Sequence, residues 1–132
     1  MCRVLKLRLC SLRLSCWLLL LACGGCGSGP LKLDSEIARD ALETTLKAWQ
    51  SGDSASDLAK RSPAIIVSDI DWKAGKKLVE FNVRKEESAA GSSLRKSVEL
   101  VLKAESASPT RVEAVYVIST RPVITVFRQE NE

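Results

Sequence analysis

Apolar and polar residues follow two different periods along this chain, and the change of period separates a helical part from a strand-rich part. In residues 37–50 apolar side chains recur every three or four positions, which predicts an amphipathic helix with one face on a core. Asp34 or Ser35 is expected to cap the start of this helix, and Gly52 follows its end. Residues 54–57 resemble a capping box and predict a second helix of about two turns.

The period changes to two after the second helix. Residues 64–68 are apolar and β-branched, which predicts a buried strand or an edge segment. Four longer runs alternate apolar and polar side chains and predict an antiparallel meander with strands at 77–84, 97–105, 111–119 and 123–128. Residues 85–93 are polar and include Gly91, so they predict a loop, and residues 129–132 predict a loose tail.

The order of these elements predicts an α+β fold in a single domain over residues 34–128. The long helix and the short second helix are expected to pack on a curved antiparallel sheet of about four strands. A domain of this length buries enough apolar surface for one modest core but not for two.

The first 22 residues follow neither period. Four basic residues lie within residues 3–13, and the uncharged run of residues 14–22 comes after them. A basic region followed by a short apolar run is typical of a secretory signal peptide. A membrane-spanning helix needs about 20 apolar residues, which is far more than this run contains. An uncleaved N-terminal membrane anchor remains the alternative.

The apolar run ends in Leu20-Leu21-Ala22-Cys23, which resembles the lipobox of bacterial lipoproteins. The resemblance implies that the Cys23 thiol receives diacylglycerol, that the chain is cut before Cys23, and that the new N-terminus is acylated. It also implies an exported protein, anchored on the extracytoplasmic side of a membrane. Residues 23–33 are rich in glycine and predict a flexible tether, which reaches on the order of 15 Å on average.

Composition changes this picture in three ways. Residues 1–22 hold four of the twenty Lys and Arg and none of the sixteen acids, so cleavage leaves sixteen of each and argues against nucleic acid as a partner. All five cysteines lie within the first 26 residues, so the domain has no disulfide framework. The chain has no histidine, which excludes imidazole-dependent nucleophiles, and with no cysteine in the domain either, the usual zinc ligand sets are excluded as well. We therefore predict neither a cofactor nor a metal.

Asp69 and Asp71 form the most individual motif of the domain. Two carboxylates in a D-x-D pattern offer oxygen ligands to a divalent cation, although no further acidic cluster accompanies them. The structural alternative is that Asp71 caps a short helical turn closed by Gly75, with Trp72 held on the core. The structural interpretation is the favoured one.

The order of helices followed by a meander resembles the cystatin-like and nuclear transport factor 2-like folds, and small bacterial lipoproteins built in the same way. The resemblance covers most of residues 34–128 and is architectural, without a motif of catalytic residues. It implies a pocket on the concave face of the sheet. The residues that could line this pocket are Trp49, Trp72, Phe81 and Tyr116, with Asp69, Asp71 and Arg121 as polar groups. The alternative is that the aromatic side chains simply form the core.

Two functions are compatible with the sequence. The favoured one is a non-enzymatic, membrane-anchored module that presents a sheet edge or a helix face to another envelope protein. The alternative is a pocket protein that binds, or less readily transforms, a small apolar ligand. Fold analogy alone does not turn the aromatic residues into a site.

Overall fold

The computed structural model describes residues 32–130. Three helices and five strands occur within these residues: α1 Ser35–Ser51, α2 Ala55–Ala59, β1 Ile65–Ser68, α3 Ile70–Lys73, β2 Lys77–Ala90, β3 Ser93–Lys103, β4 Thr110–Ser119 and β5 Ile124–Gln129. The predicted signal peptide and the predicted lipidation site at Cys23 lie outside the described residues. No helix between residues 32 and 130 has the length and the apolar character needed to cross a membrane.

Helix α1 begins and ends where its capping residues predict. Asp34 is the N-cap, and its Oδ1 accepts the backbone N–H of Ile37 at 3.2 Å. Gly52 adopts a left-handed conformation (φ 88°) at the other end, and its N–H donates to carbonyls of the last turn. The buried residues of α1 form one stripe, which packs on the sheet: Ala38, Ala41, Leu42, Thr45, Leu46, Ala48 and Trp49.

The sheet has five strands in the order β1-β5-β4-β3-β2 and is mixed. Strands β2 to β5 form the predicted antiparallel meander. Strand β1 pairs in parallel with β5, with Ile65 opposite Ile124. The prediction of an antiparallel sheet of about four strands is therefore wrong in this respect, although the α+β class is confirmed. The parallel pair joins distant parts of the chain, so no local period reveals it.

The predicted loop over residues 85–93 is wrong as well. Strand β2 continues to Ala90, and Gly91 and Ser92 make a two-residue turn into β3. Gly91 has φ 62° at the first central position, as a type II′ hairpin turn requires. Register shifts between Val83 and Glu87 place extra residues in β2, and these shifts break the alternation on which the prediction of a strand depends.

A row of polar side chains crosses the covered face of the sheet. Arg128, Tyr116, Lys96 and Glu87 lie opposite one another on β5, β4, β3 and β2, and we call these four residues the polar row. Lys96 Nζ donates to Glu87 Oε2 at 2.9 Å, and Arg39 Nε of α1 donates to the same oxygen at 3.0 Å. This end of the polar row therefore ties α1 to the sheet by ion pairs.

The ion pairs at Glu87 predict a specific dependence of stability on acid. Hydrogen bonds from Arg39 and Lys96 lower the pKa of Glu87 from its usual 4.5 to about 2. A lowered pKa stabilises the folded state fully above about pH 4.5, and this stabilisation is lost as the pH falls towards 2. We expect Glu87→Gln to lower the free energy of unfolding at pH 7 and to weaken its dependence on pH between 4.5 and 2.

Urea unfolding at pH 7, 4 and 3, followed by tryptophan fluorescence, measures this effect. Glu80→Gln is the matched control, because Glu80 is exposed and makes no ion pair within residues 32–130. The same change of pH dependence in both variants would contradict the assignment.

Candidate functional site: a closed carboxylate cluster and an open groove

The Asp69 side chain fixes the path of the backbone directly after β1. The residue is 3% exposed, and its Oδ1 accepts hydrogen bonds from the backbone N–H groups of Asp71 at 2.8 Å and Trp72 at 3.1 Å. These bonds satisfy free donors at the start of α3, as an N-cap does. Asp69 is therefore the cap of this short helix, and the prediction that Asp71 caps it is wrong. Gly75 closes the turn with φ 81°, as expected.

Asp69 also reaches the polar row. The hydroxyl of Tyr116 donates to Asp69 Oδ2 at 2.6 Å, and Arg128 Nη1 lies 3.5 Å from Oδ1. Burial, followed by the charge of Asp69 and the hydrogen bond to it, raises the pKa of Tyr116 above its ordinary value. Tyr116 therefore remains a neutral hydrogen-bond donor rather than a base.

The carboxylate of Asp71 accepts hydrogen bonds from two basic side chains. Lys76 Nζ donates to Oδ1 at 2.6 Å, and Arg128 Nη1 donates to Oδ2. Burial opposes the ionisation of Asp71, but the hydrogen bonds and charges of Lys76 and Arg128 outweigh it and hold the pKa of Asp71 below its usual value. We call Asp69, Asp71, Lys76, Tyr116 and Arg128 the carboxylate cluster. Its two acids are balanced by two cations.

The aromatic side chains beside the cluster belong to the core. The rings of Trp49 and Trp72 stack with centroids 5.2 Å apart and planes 6° from parallel. Trp49 Nε1 donates to the carbonyl of Lys76 at 2.8 Å, which ties α1 to the segment after α3. Phe81 also packs against the buried core. These contacts favour the interpretation of the aromatic residues as core rather than as a pocket lining.

Of the seven residues named as pocket candidates, the structure brings Asp71, Trp72 and Tyr116 together around Asp69, and Trp49 stacks on Trp72. Arg121 lies elsewhere, at a small cleft beside the start of α1. The cation that completes the cluster is Arg128, which the sequence analysis missed. Its position two residues after the buried Val126 places it on the covered face of β5, and a cation at such a position needs an acidic partner.

The carboxylate cluster is chemically closed. Each of the four carboxylate oxygens of Asp69 and Asp71 accepts at least one hydrogen bond from the protein. Oxygens occupied by N–H and O–H donors are not disposed to bind a cation, so the geometry favours the structural interpretation of the D-x-D motif. Within residues 32–130 no group of three or more His, Cys, Asp or Glu side chains is placed to hold a metal ion.

An open groove of about 720 Å³ lies between the first turns of α1, the start of β1 and the segment before β5. We call it the α1 groove. The residues that determine its character are Glu36, Ile37, Asp40, Pro63, Ile65 and Val123. Ile37 is 45% exposed and Val123 is 46% exposed. The apolar period of residues 37–50 predicts Ile37 on the core face of α1, but the structure leaves it at the edge of this groove.

Thr120 adds one polar feature to the wall of the α1 groove. Its Oγ1 is the one buried side-chain oxygen or nitrogen in the described part of the chain that has no hydrogen-bond partner. The rest of the lining is mainly apolar, apart from the two acids. The groove is therefore a different kind of surface from the closed carboxylate cluster.

Removal of the Asp69 carboxylate tests its structural role. We expect Asp69→Ala to destabilise the fold by about 2–4 kcal/mol, because it leaves the buried Tyr116 hydroxyl without its acceptor and removes the cap of α3, although Arg128 keeps its ion pair with Asp71. Tyr116→Phe removes only one bond, so its expected cost is smaller, about 1–2 kcal/mol. Urea unfolding followed by the fluorescence of the Trp49–Trp72 pair measures both effects. The double variant is expected to lose less than the sum, and strict additivity would contradict a direct interaction.

Comparison with known proteins assigns no relative. No protein family matches the chain, and no curated protein or solved structure shows significant similarity to it. The geometry of the described residues, together with the N-terminal sequence, is therefore the basis for a functional proposal.

Proposed function

We propose that this protein is an exported, non-enzymatic lipoprotein that binds another envelope protein through the α1 groove while the acylated Cys23 holds it on the membrane. The observation that carries the proposal is the groove itself, an open apolar surface at the start of the folded domain. Protein interfaces have an apolar centre surrounded by a polar rim. The exposed side chains of Ile37 and Val123 fit such a centre, and Glu36 and Asp40 fit its rim.

The position of the α1 groove along the chain supports a role near the membrane. Glu36 follows Cys23 by thirteen residues. The predicted tether over residues 23–33 would span on the order of 15 Å on average and at most about 40 Å when extended. A lipid on Cys23 would therefore keep the groove close to the bilayer surface, where it can meet membrane-bound partners.

The ligand-pocket alternative has less support. Asp69 and Asp71, the two acids assigned to that pocket, already accept hydrogen bonds from Tyr116, Lys76 and Arg128 within the carboxylate cluster. The covered face of the sheet is filled by core side chains such as Val98, Leu100 and Ile118. The proposed relation to the cystatin-like and nuclear transport factor 2-like folds rests on the long helix that precedes and covers the meander.

The anchor is tested first. We expect Cys23→Ala to release the protein from membranes or to block its processing, because one thiol carries the whole anchor. Membrane fractionation, together with incorporation of labelled palmitate, measures both effects. Cys26→Ala is the matched control and should leave both unchanged. Undiminished membrane association of the Cys23→Ala protein would favour the uncleaved N-terminal anchor.

The groove is tested by in-cell photo-crosslinking. We expect a benzoylphenylalanine placed at position 37 or 123 to give an adduct of one defined mass, because these two side chains border the same groove. Val79 is the control position, since it is exposed to a similar degree (45%) on β2. The adduct should disappear in the Cys23→Ala background. Equal adducts from all three positions, or none from 37 and 123, would contradict the proposal.

A further inference from the structure

We infer that the α1 groove selects a peptide segment of its partner in which apolar side chains stand next to a Lys or Arg. The inference rests on the proposed function and adds the chemistry of the partner. It follows from the charge of the groove, from the shape of its apolar part and from its place near the membrane.

The charge at the groove is negative. Glu36 and Asp40 are separated by one turn of α1, and both line the groove, whereas no Lys or Arg among the described residues does. Neither acid forms an ion pair within residues 32–130. Arg39, the cation between them in sequence, is held by Glu87. Two unpaired carboxylates beside an apolar surface favour a cation in the group that binds there.

Two basic residues lie near Glu36, just outside the groove, but not near Asp40. Asp40 is therefore the carboxylate more available to a cation of the partner. Lys32 and Arg121 line the small neighbouring cleft, to which Glu36 also belongs. Asp40 does not line that cleft. A Lys or Arg of the partner is therefore expected to lie nearer to Asp40 than to Glu36.

The apolar part of the groove indicates a peptide segment rather than an enclosed small molecule. Its volume of about 720 Å³ accommodates several apolar side chains. Small-molecule sites bury most of the surface of their ligand, whereas this groove is open and its rim residues Ile37 and Val123 are nearly half exposed. An open groove covers only one side of its occupant. When the occupant is a segment of a larger protein, the rest of that protein can cover the other side.

The membrane surface itself is a poorer occupant. Anionic lipid headgroups attract basic segments, but the groove presents carboxylates. Glu36 and Asp40 would repel such headgroups. A protein segment with a Lys or Arg satisfies both the charge and the apolar lining.

Peptide binding to the mature, membrane-anchored protein in phosphatidylcholine nanodiscs tests the inference. The signal measured with empty nanodiscs is subtracted. The probes are three fluorescent peptides that differ in one property at a time: GLKVKLG, GLEVELG and GSKSKSG. We expect the first peptide to bind at least tenfold more tightly than either of the others, as measured by fluorescence anisotropy. We also expect the Glu36→Gln/Asp40→Asn protein to lose about tenfold in affinity for it.

Glu80→Gln/Glu86→Gln is the matched control, because it removes the same charge from exposed positions on β2. Equal binding of the lysine and glutamate peptides, or equal losses in the two double variants, would overturn the inference. A photo-crosslink from position 37 together with an unchanged affinity in the Glu36→Gln/Asp40→Asn protein would leave the proposed function standing and refute only the basic partner. Absence of the crosslink would refute the proposed function itself.

Discussion

The buried carboxylate of Asp69 is the interaction on which the arrangement of the elements depends. One oxygen caps α3, and the other accepts the hydroxyl of Tyr116 on β4. Asp69 directly follows β1, so its bonds fix the chain where the strand ends. They also connect β1 to β4, which lies beyond β5, the neighbour of β1 in the described sheet. A buried charge is tolerated only when hydrogen bonds and opposite charges surround it. The turn into α3 and the contact with Tyr116 on β4 therefore depend on the same buried side chain.

The polar row extends this constraint across the sheet. Arg128 must face the covered side of β5 to reach Asp69 and Asp71, and a shift of β5 by one residue would turn it to the uncovered side. At the other end of the row, Glu87 must face the covered side of β2 in order to accept hydrogen bonds from Lys96 and Arg39. Ion pairs at both ends of the row thus act together with apolar packing to specify strand register.

The acidic residues fall into two groups, those paired inside the fold and those at the α1 groove. The acids inside the fold are engaged by Arg, Lys and Tyr donors, and this leaves them little capacity for acid–base chemistry or for a metal. Glu36 and Asp40 are different, because they border an open apolar groove without ion-pair partners in the described part of the chain. The groove lies at the start of the domain, next to the segment that leads to Cys23. This arrangement is the basis for the proposed function, an anchored module that contacts a neighbour at the membrane.

Several features could be predicted from the sequence because they depend on neighbouring residues. The bounds of α1 follow from its period and from the caps Asp34 and Gly52, and the meander follows from alternation within each strand. The lipobox at Cys23 is likewise a local pattern, and it remains a prediction. The extension of β2 was missed because bulges interrupt its alternation.

Other features were decided only by the tertiary structure. The parallel pairing of β1 with β5, the partnership of Arg128 with Asp69 and Asp71, and the exposure of Ile37 all depend on which distant segments meet. A periodic pattern states that a side chain turns towards one side of its own element. It does not state what lies on that side. The sequence alone therefore determined most of the elements, while the tertiary structure determined the cluster and the groove.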